Sequence, residues 1–196
     1  LHFTPSSIIC PPDLALKAIF LYNNPSYTQG DSFMPDPILT IITVCYNSID
    51  VLPATMDSLV SQTWSRFEYV VVDGASTDGT VGLLKDNQIR FEEKRFLNAG
   101  DLLAAPDVLE KVFTVPSHGQ IIYGDTLCAY QGQQKLYPAL PLNHLRWEMA
   151  FCHQSVFIER QLLTAQPYDI SYQVCADHHF FLSMYLKEIP FDYRPF

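Results

Sequence analysis

A chain of 196 residues with 48% hydrophobic and 17% charged side chains carries enough apolar content for one domain with its own core, which excludes a disordered chain. Its net charge of -9 excludes a nucleic acid as partner, because binding a phosphate backbone needs clustered Lys and Arg. Five cysteines (Cys10, Cys45, Cys128, Cys152 and Cys175), odd in number and without a CxxC pair, argue against a disulfide frame and for a reduced, cytoplasmic setting.

No run reaches the length of a membrane-spanning helix, and nothing reads as a signal peptide. The chain opens at Leu1 and not Met, as a fragment would. Residues 1–37 form a Pro-rich extension with six of the fourteen prolines. Within it, Asp13 to Tyr22 reads as a helix opening at Pro12, with Leu14, Leu16, Ile19 and Phe20 partly on one face. The extension is expected to strap onto the domain. The competing reading is peripheral docking on a membrane surface or partner, for which Lys17 alone offers little basic charge.

From Leu39 onward, strand and helix patterns alternate, as in an α/β fold with a mixed, mainly parallel central sheet flanked by helices. Leu39 to Cys45 reads as a strand. A helix capped near Ser48 or Asp50 follows and runs to about Gln62. Phe67 to Asp73 is the second strand, and a helix spans about Asp78 to Lys85. Ile89 to Phe91 and Phe96 to Asn98 are further strand candidates, and Asp107 to Phe113 a helix. The second half is mixed, with strands at Ile121 to Tyr123, Lys135 to Tyr137 and Ser155 to Ile158, then a helix from about Asp177 to Leu186.

One junction is too short. Only Glu92, Glu93, Lys94 and Arg95 separate the two middle strand candidates, whereas adjacent parallel strands need a crossover of about a dozen residues or more. We read a missing loop near residues 92–95.

The residues that point to chemistry begin at Asp73. Val70, Val71 and Val72 run apolar into this acid, which places a carboxylate at the carboxyl end of an expected buried parallel strand. Ligands of open α/β sheets bind at that edge, so the arrangement predicts a nucleotide or sugar-nucleotide site. Asp78 reads as the start of the next helix. CYNSIDV lacks the glycine and basic residues of a phosphate-binding loop, which weighs against a nucleotidyltransferase. His178 and His179 are adjacent, so they diverge on a helix and form no zinc pair.

Seven segments in order, TVCYN (Thr43 to Asn47), SLVSQTW (Ser58 to Trp64), FEYVVVDGASTDGT (Phe67 to Thr80), FLNAGD (Phe96 to Asp101), IIYGD (Ile121 to Asp125), CHQSVFIER (Cys152 to Arg160) and CADHHFFL (Cys175 to Leu182), resemble the family 2 glycosyltransferases of the GT-A fold. The resemblance covers residues 38–196, with a nucleotide-binding half at 38–105 and an acceptor half at 106–196. It is nearest to bacterial transferases that build capsule, O-antigen or exopolysaccharide. It implies a metal-dependent, inverting transfer of a sugar from a nucleoside-diphosphate donor, UDP by default, to a glycan or lipid-linked acceptor hydroxyl. The alternative is a nucleotide-binding module that is non-catalytic or truncated.

By the same resemblance, Val44 and Tyr46 line the base pocket, Asp73 contacts the donor, and Asn98 and Asp101 stand where the family has its D-x-D-type motif. Asp101 would bind the divalent cation (Mn2+ or Mg2+), while Asn98 offers an oxygen without charge. Asp177 matches the general base, and Asp125, His153 and Gln154 fall on the acceptor side. Two departures stand out. Gly74 replaces a second acid that reads the base in many members, and Ala176 replaces an acid before Asp177.

Overall fold

The computed structural model describes residues 19–22, 39–86, 101–130, 132–169, 171–172 and 175–195. The middle strand candidates, the Glu92–Arg95 junction, Asn98, Cys10 and most of the N-terminal extension lie outside the described residues. The strands are β1 (Ile19–Tyr22), β2 (Leu39–Cys45), β3 (Phe67–Asp73), β4 (Ile121–Tyr123), β5 (Thr126–Tyr130), β6 (Gln133–Tyr137), β7 (Val156–Glu159) and β8 (Phe191–Tyr193). The helices are α1 (Leu52–Val60), α2 (Thr80–Asp86), α3 (Val108–Phe113), α4 (Arg160–Ala165) and α5 (Ala176–Leu186).

The main sheet has the order β3-β2-β1-β7-β4-β8, and β5 and β6 form a separate hairpin. β2 runs parallel to β3, β1 to β7 and β4 to β8, while β1 opposes β2 and β4 opposes β7. This is the mixed, mainly parallel α/β sheet expected from the sequence.

Side chains alternate across each strand, and the sheet buries both faces. Ile122 and Phe157 point into a layer with Leu59 of α1 and Val108, Leu109 and Val112 of α3. Their neighbours Ile121, Tyr123, Val156 and Ile158 point the other way, against Phe180, Phe181 and Met184 of α5 and Leu145 of a 3-10 turn (Leu142–Arg146). Buried Gln62 ties α1 to α3: its amide donates to the Ser58 and Ala105 carbonyls and accepts from Leu109 N–H.

Several expectations need correction. The last four residues of the proposed N-terminal helix are strand β1, because pairing with β2 and β7 satisfies both backbone edges and outweighs a weak amphipathic pattern. Helix α1 begins at Leu52 without a side-chain cap; the Ser48 carbonyl, not its hydroxyl, takes the first N–H groups, from Val51 and Leu52. The helix ends at Val60, short of Gln62, whose side chain serves as the tie above. β3 is an edge strand among the described residues, not one buried on both faces, and Val70 and Val72 are 42% and 49% exposed. β5 and β8 were not anticipated. The helix after β3 starts at Thr80, with Asp78 accepting from Thr80 N–H and Oγ1. Among the described residues, no helix is long and apolar enough to cross a membrane.

Candidate active site

Topology decides which candidate residues meet. Phe20 of β1 stands beside Ile41 of β2 on one side and Phe157 of β7 on the other, and β7 runs opposite to β2. The carboxyl ends of β2 and β3 therefore share a sheet edge with the amino end of β7 and the carboxyl end of β4. Val44 and Tyr46 reach this edge from β2, Asp73 from β3 and Asp125 from beyond β4. His153 and Gln154 reach it from a 3-10 turn (His153–Ser155) that leads into β7.

Two loops are laced together at this edge. Asp73 Oδ2 accepts from Ser76 N–H at 2.9 Å, and Oδ1 accepts from the Ser76 hydroxyl at 2.5 Å and from the Cys45 thiol at 3.6 Å. Ser76 Oγ in turn accepts from Asn47 N–H, and Asn47 Oδ1 accepts from Thr77 N–H. Asp78 Oδ2 accepts from Ile49 N–H. The lacing holds Asn47 and Ala75 at φ 47° and 67°, left-handed conformations that cost an alanine energy unless neighbours hold it there.

The electrostatics follow from these contacts. The Ser76 hydroxyl holds the Asp73 carboxyl below its ordinary range, and the Thr80 hydroxyl does the same for Asp78. Burial, with the Asp73 bond and charge added, pushes the Cys45 thiol up to about 11. Tyr46 is 49% exposed beside Gly74. A Cβ on Gly74 would lie 3.4 Å from Tyr46 Cβ, so the two residues pack side by side at the mouth of β3.

The second group centres on Asp177 in the first turn of α5. Its Oδ1 accepts from His178 N–H at 2.8 Å, and its Oδ2 lies 3.4 Å from His153 Nδ1. Cys152, the preceding residue, is half-buried, and its partial withdrawal from water raises its thiol pKa, with the negative charge of Asp101 adding to the rise. Asp101 thus lies near the Cys152–His153 segment, and its carbonyl accepts from Thr55 Oγ1 of α1 at 3.1 Å. Asp125 Oδ1 accepts from Ala139 N–H and the Tyr193 hydroxyl, tying the exit of β6 to β8. The Ser155 and Thr126 hydroxyls are 2.6 Å apart, joining this group to the β5–β6 hairpin.

Among the described residues, no three His, Cys, Asp or Glu side chains converge on a metal position. Such a set does not cage a cation, and a metal ion here would have to bring ligands of its own, as one that arrives with phosphate oxygens and waters does. Sequence reasoning missed Ser76, Asn47 and Cys152. Asn in CYN was a usable signal, since asparagine tolerates left-handed backbone. The placement of Cys152 near Asp101 had no sequence signal.

Comparison with known proteins adds to this geometry. The model of glycosyl transferase family 2 matches residues 40–99. A PGL/p-HBAD biosynthesis glycosyltransferase of Mycobacterium tuberculosis is 30% identical over 178 residues, covering 75% of this chain and 69% of that protein. The putative teichuronic acid biosynthesis glycosyltransferase TuaG of Bacillus subtilis is 30% identical over 80 residues, covering 38% of this chain and 31% of its own. In fold, the chain is similar to the crystal structure of S. aureus TarS 1-349 in complex with UDP, with TM-score 0.60 and 16% identity. That match covers 79% of this chain but 56% of the TarS chain.

Proposed function

Because this chain belongs to glycosyl transferase family 2, we propose that it moves a sugar from a nucleoside-diphosphate donor to a hydroxyl of a glycan or lipid-linked acceptor, with inversion, in the synthesis of a bacterial surface polysaccharide. The observation that carries this reading is the gathering of Tyr46, Asp73, Asp125, His153 and Gln154 on one sheet edge, with Asp177 against His153. Uridine is the base we assign, supported by TarS, a protein similar in fold whose crystal structure is a complex with UDP.

In this reading, the exposed Tyr46 ring stacks on the base, and the laced loop through Asp73 and Ser76 fixes the floor beneath the ribose. Asp101 would hold a Mn2+ or Mg2+ ion together with the diphosphate. That cation supplies charge neutralisation for the leaving group. Asp177 takes the proton of the acceptor hydroxyl. The acceptor oxygen bonds to the anomeric carbon, the bond from that carbon to the diphosphate oxygen breaks, and its electron pair leaves with the diphosphate. A single displacement needs one base and no protein nucleophile.

The test is a calorimetric titration of the full chain with UDP, GDP, CDP and dTDP, with and without Mn2+, against Asp101→Ala. The reading expects metal-assisted binding of one nucleotide, weakened in the variant. Absence of binding to all four would leave a non-catalytic module in its place.

A further inference from the structure

Asp177 is held from two sides. Its Oδ1 takes the His178 backbone N–H at 2.8 Å, within the first turn of its own helix. Its Oδ2 faces His153 Nδ1 at 3.4 Å, from a turn that enters the sheet two elements earlier. Both side chains are mostly withdrawn from water, at 18% and 27% exposure, where an ion pair or hydrogen bond is screened little. The His178 ring points elsewhere, with Nε2 2.8 Å from the Leu145 carbonyl. Around the pair stand Tyr168, whose hydroxyl feels the Asp177 charge, and on the His153 turn Cys152, which feels Asp101 and bonds Gln154 Oε1. No Lys or Arg contact to Asp177 is seen among the described residues, so His153 is the cation-forming side chain at this carboxylate.

A carboxylate at a helix N-terminus can rotate about its last bond. A base must not, since its free lone pair has to meet a proton within hydrogen-bond reach. With the His178 N–H bonded to one oxygen and the His153 ring facing the other, the Asp177 carboxylate is approached by two elements from different parts of the fold. We propose that His153 is the positioning residue of Asp177. Its Nδ1–H donates to Oδ2, and the carboxylate is thereby oriented to take the proton of the acceptor hydroxyl. The proposal rests on the transferase reading for the identity of that proton, but the pairing itself does not.

The role depends on a neutral imidazole. When His153 gains a second proton, the cation beside Asp177 lowers the affinity of the carboxylate for the proton it must accept. Turnover therefore rises as pH climbs through the His153 midpoint.

Two experiments on the full chain separate the possible failures. The first follows histidine side-chain resonances by NMR across pH, with His153 identified by its loss in His153→Asn. The pairing expects the His153 midpoint to fall by about 1 unit or more in Asp177→Asn. An unchanged midpoint overturns it, whatever the enzyme's activity. The second measures UDP release from UDP-glucose with Mn2+, with water as acceptor. His153→Ala should lower kcat about tenfold or more at an unchanged KM, and His153→Asn, which keeps an N–H near the Nδ1 position, should restore most of it. Equal loss in both variants overturns the positioning role. Wild-type turnover in Asp177→Asn would instead sink the base assignment in the proposed function, leaving the NMR result to stand on its own.

Discussion

Cys45 and Asp73 face each other on the last rung between β2 and β3, and the Cys45 thiol donates to Asp73 Oδ1 over 3.6 Å. The strand ends that carry the candidate donor site are thus joined by side chains as well as by the ladder. The Cys45 side chain lies at 0% exposure over Leu52 and Met56 of α1. Burial and the neighbouring carboxylate raise its thiol to about 11, so it is protonated and unreactive at neutral pH. Iodoacetamide at pH 8 should leave Cys45 unmodified in the folded protein and label the exposed Cys175, as read by peptide mass spectrometry. Rapid labelling of Cys45 would contradict this packing.

Acid should loosen the same edge. Asp73 and Asp78 hold their protons more weakly in the folded chain than at the ordinary value of 3.8, because hydroxyl and backbone donors stabilise the carboxylates. The unfolded chain therefore binds protons first as pH falls. Their stabilising contribution is complete above the ordinary value and disappears as pH drops through the lower folded values. Denaturant midpoints should decline from about pH 4 downward, and Asp73→Asn should flatten that decline. An identical acid limb in the variant would count against the assigned bonds.

Tyr46 offers a direct probe of the base pocket. Tyr46→Ala should weaken UDP binding about tenfold, within the range of base–aromatic stacking, while Tyr46→Phe keeps most of it. Equal losses in the two variants would point to the hydroxyl, and no loss to a ring that sits outside the site.

Gly119 precedes β4 where the chain passes close to β8. A Cβ there would stand 2.7 Å from Asp192 Cβ and 2.8 Å from Asp192 N, so backbone must move to admit it. Gly119→Ala should cost about 1–3 kcal/mol in a denaturant titration. A neutral substitution would mean that β8 can shift freely against the start of β4.

Phe181 couples core to chemistry. It lies at 0% exposure on α5, one turn beyond Asp177, with its ring 5.0 Å from Phe151 in an edge contact. Phe181→Ala should cost about 3–5 kcal/mol of stability, because the cavity it leaves is walled by β4 and β7 and closes only in part. A denaturant titration of the variant checks this, and a loss below about 1 kcal/mol would mean that the layer collapses around the gap.

Local pattern was enough to find β2, β3, α3, β4 and α5, which stand as short apolar-rich runs between clear breaks. It failed where partners decide. The residues Ile19–Tyr22 carry a weak helical stripe yet form a strand, since the slot between β2 and β7 offers hydrogen bonds on both sides. Val70 and Val72 read as buried and lie half open, because position in a sheet is not written in the strand that occupies it.

The sequence by itself determined the alternating α/β pattern, the acid after β3, and the motifs whose order resembles one transferase family. Those features depend on neighbours along the chain. Only the tertiary structure decided that β7 runs opposite to β2, which brings the turn before it to the edge of Asp73, and that His153 meets Asp177. Such contacts join residues through strand direction and register, which are set by hydrogen bonds and packing between distant segments, so no local pattern could announce them.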